Sequence, residues 1–328
     1  MAIARRQFLQ HAAAVAGGTL ALPGLVGSLA RLCAAEPAVA SDAPPDARPN
    51  FLTLSIGTYA MPGVPLEKAL AAIADAGFDG VEIAVMPGYA DPASISTERR
   101  KEVARQLASS GLRLTALMEH LLPADDDAEH RRQLDRLARV MELAADWAQY
   151  GKPPLIQTVL GNGTWDARRN FYRDRLADWL NLATRRQAVL AIKPHRNGAM
   201  SQPSEAIWLI EQLGNSPRLR MVYDYSHYAF RDLPLEETVR TSLPYTAHVA
   251  VKDAVKQGDR VTFLLPGEQN THYPKLLKLL YDGGYRGDIC CEVSSLISRQ
   301  QGYDPVAAAK TCYRNMAAAF AAASVPRP

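Results

Sequence analysis

Cysteine is scarce in this chain, and the few cysteines present do not suggest pairing. Four occur among 328 residues, and Cys33 falls in a segment that reads as removable. The other three, Cys290, Cys291 and Cys312, are an odd number, so no disulfide framework is expected and buried free thiols are the reading. Excess charge of one sign is also missing. The formal net charge is only +3, and several arginines sit near the N-terminus. A basic footprint for nucleic acid is therefore absent. No long unbroken apolar run occurs either. The most apolar stretch, residues 12–29, is interrupted by glycine and proline, which argues against a stable membrane span. No glycine-rich dinucleotide loop follows the first apolar strand.

What is present is ordinary for a soluble globular protein. Apolar residues make up 48% and charged residues 22%, enough for a substantial core. Before that core, Ala4–Gln10 (ARRQFLQ) sets Arg5 and Arg6 ahead of Phe8, Leu9 and an Ala/Gly-rich stretch. This is the layout of a twin-arginine export signal over residues 1–40, with cleavage after AVA (Ala38–Ala40) or CAA (Cys33–Ala35). Export would place the mature chain in the periplasm or beyond. Residues 41–50 (SDAPPDARPN) read as a flexible leader, and 51–328 as the folded domain.

From Phe51 onward, short apolar strands alternate with amphipathic helices. Strand segments are FLTLSIGTY, GVEIAV, LRLTALM, PLIQTVL, VLAIKPH, LRMVYDYSH, TAHVAVKDA and GDICCEVSS. Helical segments lie between them; several open on Ser, Thr or Pro and close on Gly. Eight repeats predict a single closed (β/α)8 TIM barrel, with a doubly wound open sheet as the alternative. In such a barrel, polar residues at strand C-termini converge on one mouth.

Those strand ends are rich in charge. They supply Glu82, then Glu119 and His120, Lys193 and His195, Asp224 and His227, His248, Lys252 and Asp253, and Glu292. A charge inside an apolar strand is costly unless it is paired or metal-bound. Aspartate, histidine and glutamate together suit Mn²⁺, Mg²⁺, Co²⁺ or Zn²⁺. Bland readings exist beside the functional ones. Glu119 and His120 could sit on the rim, Asp253 could pair with Lys252, and His130 and His272 read as solvated helix residues.

At these residues the chain resembles the sugar phosphate isomerase/epimerase family, with its xylose isomerase-like barrel. The resemblance spans about Ser55 to Phe320. It rests on AGFDGVEI, VYDYSH, HVAVKDA, PGEQNTHYPKLLKLL and CCEVSS. It implies one divalent metal held from strands five to eight, with Asp224, His248 and Glu292 as three ligands. It also implies substrate contact by His227, a role for Glu82, and a loop at Gly267 and Glu268. His120, His195, Lys252 and Glu268 are the substrate-binding candidates; Lys193, Glu292, His227 and Glu82 are the catalytic ones.

One motif departs from the family. Where Glu-Pro-His is expected on strand five, this chain has Lys193-Pro194-His195. An ammonium repels a metal ion and cannot ligate it while protonated. Several arrangements stay open. The metal could remain on Asp224, His248 and Glu292 with His195 or water completing the shell. Lys193 could replace the metal as the cation that holds an enolate, or act as a base of lowered pKa. Or Lys193 could simply pair with Asp224 or Glu292, catalysis being lost. The resulting expectation is an exported enzyme acting on a small carbohydrate or keto-sugar by proton abstraction beside a carbonyl. The rival is a non-catalytic sugar-binding barrel. A related endonuclease would need a multi-zinc cluster, for which the chain has too few histidines. Oligomer formation is left open.

Overall fold

The computed structural model describes residues 49–257, 260–269 and 272–328. The expected export signal, with Cys33, and positions 41–48 of the expected leader lie outside the described residues. Eight parallel strands close into a barrel in the order β1-β10-β7-β6-β5-β4-β3-β2. They are β1 Thr53–Gly57, β2 Gly80–Ala84, β3 Arg113–Met118, β4 Leu155–Thr158, β5 Leu190–Ile192, β6 Leu219–Tyr223, β7 Thr246–Val251 and β10 Asp288–Cys291. The closed barrel is therefore observed, and the open sheet is not.

Helices fill each crossover: α1 Leu66–Ala76, α2 Thr97–Ser110, α3 Asp127–Asp146, α4 Trp165–Arg185, α5 Pro203–Gln212, α7 Leu235–Ser242, α8 Tyr273–Asp282 and α10 Pro305–Ala323. Their apolar faces cover the outside of the barrel. In α1, Ala69, Leu70 and Ile73 form the buried face, and each large aliphatic chain so buried stabilises by about 1.5–3 kcal/mol. Ser96 caps α2 by accepting from Arg99 N at 3.2 Å, as its position in the sequence implied. Among the described residues, no helix is long and apolar enough to cross a membrane. Cys290, Cys291 and Cys312 are all buried and free.

Several extra elements shape the mouth. Where the sequence reads as strand through His227, β6 ends at Tyr223 and Tyr225–Tyr228 forms a short helix, α6; a second short helix, α9, covers Ser295–Ser298. The segment after β7 is not a plain loop. Asp253–Gln257 (β8) and Arg260–Leu264 (β9) pair antiparallel as a separate two-stranded sheet, Asp253 opposite Leu264. The turn that follows β9 is pinned at Gly267. Its φ is +85°, and a Cβ there would lie 2.4 Å from Asn315 Cβ, so only glycine fits.

Candidate active site

Strand endings place the charged residues. β5 stops at Ile192 because Pro194 has no N–H for the ladder. Lys193 N still donates to Thr158 O at 2.9 Å, which fixes the lysine at the barrel rim. Asp224 caps α6: its Oδ1 accepts from Ser226 N at 3.1 Å and Ser226 Oγ at 2.6 Å, leaving Oδ2 turned to the barrel axis. Glu292 follows β10, and its N–H bonds Val251 O at 2.9 Å. The β10–β7 register pairs Cys291 with Val251, so Glu292 stands beside Lys252.

These four side chains form one buried network. Lys252 Nζ donates to Glu292 Oε1 at 2.6 Å and lies 3.0 Å from Asp224 Oδ2, there without hydrogen-bond alignment. Lys193 Nζ donates to Glu292 Oε2 and lies 3.7 Å from Asp224 Oδ2. Burial alone would lower the Lys193 pKa, but Glu292 and Asp224 outweigh it and hold the ammonium above its ordinary value. Burial would likewise raise the Glu292 carboxyl, and Lys193 with Lys252 pull it well below the carboxylate range. Glu292 is thus a fixed anion, not a proton acceptor.

Three histidines stand around this network. His195 and His227 rings lie 4.2 Å apart. Burial, then the nearby Lys252 and Lys193, push His195 down to about 4. Burial, Lys252 and His195 hold His227 well below the usual imidazole value. Both are neutral at pH 7. His195 Nδ1 accepts from Asn197 N at 3.3 Å, which puts its own proton on Nε2. His227 Nε2 is 3.4 Å from Asp224 Oδ2 but misaligned, and neither of its ring nitrogens has a hydrogen-bond partner. His120 is exposed on the rim, its ring edge-on to Tyr59. Lys193, Lys252, Glu292, His120, His195 and His227 all line one cavity of about 500 Å³ at the C-terminal mouth, a size suited to a small ligand.

Several expected residues are elsewhere. His248 does not join Asp224 and Glu292. It pairs with Val222 within β7, and three strand residues follow it. Residues 248, 250 and 252 share the inward face, so the side chain that reaches the mouth is Lys252, roughly 13 Å further along the strand. His248 instead has Nε2 3.4 Å from Glu82 Oε2 and Nδ1 3.9 Å from Asp288 Oδ2. Glu268 does not reach the cavity either: it is exposed and closes its own turn by accepting from Leu265 N at 2.8 Å. Glu82 is buried beneath the mouth, accepting from Gln157 Nε2 at 2.5 Å, and does not line the cavity. Glu119 is pinned by Arg136 at 2.9 Å, and Asp253 accepts from Gln269 N at 2.8 Å; both are structural. Gln157 and Asp288 were missed, although Gln157 interrupts an apolar strand just as the charged residues do. A larger cavity, about 720 Å³, opens at the opposite end of the barrel and reaches His248 and Asp288. The mouth is preferred because the convergent charged groups are there.

The metal positions implied by the resemblance do not make a metal shell. Two ammonium groups already neutralise Asp224 and Glu292, and the histidine lies two inward positions too deep. A different trio, Glu82, His248 and Cys290, has donor atoms within 4.8 Å of one another. His248 Nε2 there is buried without a hydrogen-bond partner. That donor set suits Zn²⁺.

Fold and mouth together define a TIM barrel with a polar, small-molecule site at its C-terminal end. The xylose isomerase-like TIM barrel family matches residues 70–311, and the chain belongs to that family. A human protein named "Putative hydroxypyruvate isomerase" is 32% identical over 93 residues, which is 28% of this chain and 31% of that protein. The chain thus matches about a third of that relative's length. Among solved structures, the apo 3-keto-D-glucoside 4-epimerase of E. coli superposes with a TM-score of 0.64 at 18% identity, covering 82% of this chain and 99% of its own. A xylose isomerase-like TIM barrel protein of Mycobacterium smegmatis, in complex with magnesium, gives 0.63 at 16% identity, covering 83% and 98%. At these identities the structural likeness is one of fold.

Proposed function

We propose that this protein is an enzyme that moves a proton next to the carbonyl of a small carbohydrate or keto-sugar, with lysine ammonium groups in place of a metal ion. The carrying observation is the Lys193–Lys252–Asp224–Glu292 network, of which Lys193, Lys252 and Glu292 line the mouth cavity. Proton abstraction beside a carbonyl develops negative charge on oxygen. Fixed cations in a water-poor site stabilise that charge without reorganising. Lys193 and Lys252 are held by two carboxylates, so their charge and position are set before substrate arrives. Neutral His227, whose ring nitrogens have no hydrogen-bond partner, is the proton-accepting group on the cavity wall, and His195 offers an N–H donor. Glu292 and Asp224 position the lysines. Glu82, His248 and Cys290 would hold a metal such as Zn²⁺, which would supply positive charge to the barrel interior.

Isomerisation or epimerisation is supported by the names of the relatives, a sugar epimerase and a hydroxypyruvate isomerase. Export is supported by Arg5 and Arg6 ahead of the apolar segment; cell fractionation of wild type and an Arg5→Lys, Arg6→Lys variant tests it.

The activity is tested by incubating a panel of ketoses with the protein in D₂O and following the C–H beside the carbonyl by NMR. Enzyme-dependent deuterium uptake is expected, lost in Lys193→Met. Binding without exchange would make the protein a sugar-binding barrel instead.

A further inference from the structure

Among the described residues lining the mouth, one cation is left unused by the chemistry above. Arg196 lies in the turn after β5 and lines the same cavity as Lys193, Lys252 and Glu292. The two lysines are neutralised by Asp224 and Glu292. Arg196 is not: its Nε is buried without a hydrogen-bond partner. Burial pulls its pKa below the ordinary value, and among the described residues no carboxylate offsets that.

Aromatic rings hold this guanidinium instead of an acid. Its carbon is 5.1 Å from the Phe230 ring centroid and 5.0 Å from that of Phe263. The two rings meet edge to face, 6.4 Å apart at 81°, and form a corner. A cation resting on ring faces is held in place by the quadrupoles, while its in-plane N–H donors stay uncommitted. A planar fork of donors matches a planar carboxylate, which can accept two parallel hydrogen bonds. A phosphoryl group can accept the same fork, but its second charge would exceed what one guanidinium compensates.

We infer that Arg196 recognises a carboxylate on the substrate, so that the carbohydrate taken by this barrel is a keto-sugar acid, its carbonyl at Lys193 and Lys252 and its acid group at Arg196. The inference rests on the carbohydrate reading of the mouth and adds the substrate class. Phe230 and Phe263 position Arg196; neither touches the reacting atoms.

The test is calorimetric binding of D-fructuronate, D-fructose, D-fructose 6-phosphate and pyruvate to wild type and to Arg196→Gln. The three sugars differ only at C6. Arg196 is half-exposed in a turn, and unchanged thermal midpoints would confirm that the variant folds. D-fructuronate should bind about tenfold or more tightly than D-fructose, as a charge-assisted pair implies. Arg196→Gln should abolish that preference and leave D-fructose affinity unchanged. Equal affinities, or a preference that survives Arg196→Gln, overturn the inference and leave the carbohydrate reading standing. An Arg196-dependent preference for D-fructose 6-phosphate overturns the carboxylate in favour of a phosphoryl group. Binding of pyruvate through Arg196 with no sugar bound supports the carboxylate role and overturns the carbohydrate reading. If nothing binds, both are overturned.

Discussion

Lys252 donates to Glu292 Oε1 across 2.6 Å from the neighbouring barrel strand. That single contact changes the meaning of the carboxylate. A glutamate that would ligate a metal or accept a proton is spoken for by an ammonium on one oxygen, and by Lys193 on the other.

Removing one lysine should therefore damage the fold as well as the chemistry. Lys252→Met leaves Asp224 and Glu292 sharing one cation inside the barrel. Breaking a buried charge network in this way costs about 3–5 kcal/mol. Urea unfolding of Lys252→Met should show a loss of this size, and Lys252→Met with Glu292→Gln should recover part of it. No coupling between the two substitutions would mean that the network is not energetically connected.

Metal binding should follow the deeper trio and not the mouth. After dialysis against Zn²⁺, elemental analysis should show a lower zinc content in Cys290→Ser than in wild type. Glu292→Gln should leave zinc content unchanged. Lys193→Glu should raise it, because it restores a carboxylate and removes a cation at the mouth. Loss of zinc in Glu292→Gln would place the ion back among the family positions.

Acid should destabilise the protein before its carboxylates titrate. His195 is depressed to about 4 and His227 is held well below its ordinary value, so between about pH 6.5 and 4 the unfolded chain binds more protons than the folded one. Stability then rises with pH through this window and is lost as pH falls through it. The His195 contribution is on the order of 3 kcal/mol. Below the window, Glu292, also depressed, adds a further loss as it protonates. Denaturant unfolding from pH 7.5 to 4 should show the slope, and His195→Asn should flatten it.

The barrel was legible because each repeat carries its own signals: an apolar strand, an amphipathic helix, and caps such as Ser96 at the junctions. The mouth was legible in part. Lys193 was expected near a carboxylate of the cluster, and it contacts Glu292. His248 was misplaced because polarity within a strand reveals the inward face but not the layer; only the ladder register with Val222 does that. Lys252, two inward positions further on, took the place at the rim. The β8–β9 hairpin was missed because its strands are short, mixed in charge and paired only with each other. Arg196 was overlooked because its signal is an absence of carboxylate partners, visible only once Phe230 and Phe263 are folded against it.

The hairpin has a consequence for how such a site can diversify. β8 begins one residue after Lys252, and β9 carries Phe263 to the cavity wall, yet the two strands bond to each other and form a sheet apart from the barrel. Replacements along it can reshape one wall of the mouth while the barrel's own ladders stay intact. The lysines belong to the permanent frame; Phe263, one ring of the aromatic corner under Arg196, belongs to an exchangeable cassette, while Phe230 comes from the segment after β6. A lineage could retune what the mouth admits by rewriting a dozen or so loop residues, and Lys193 and Lys252 would never have to move.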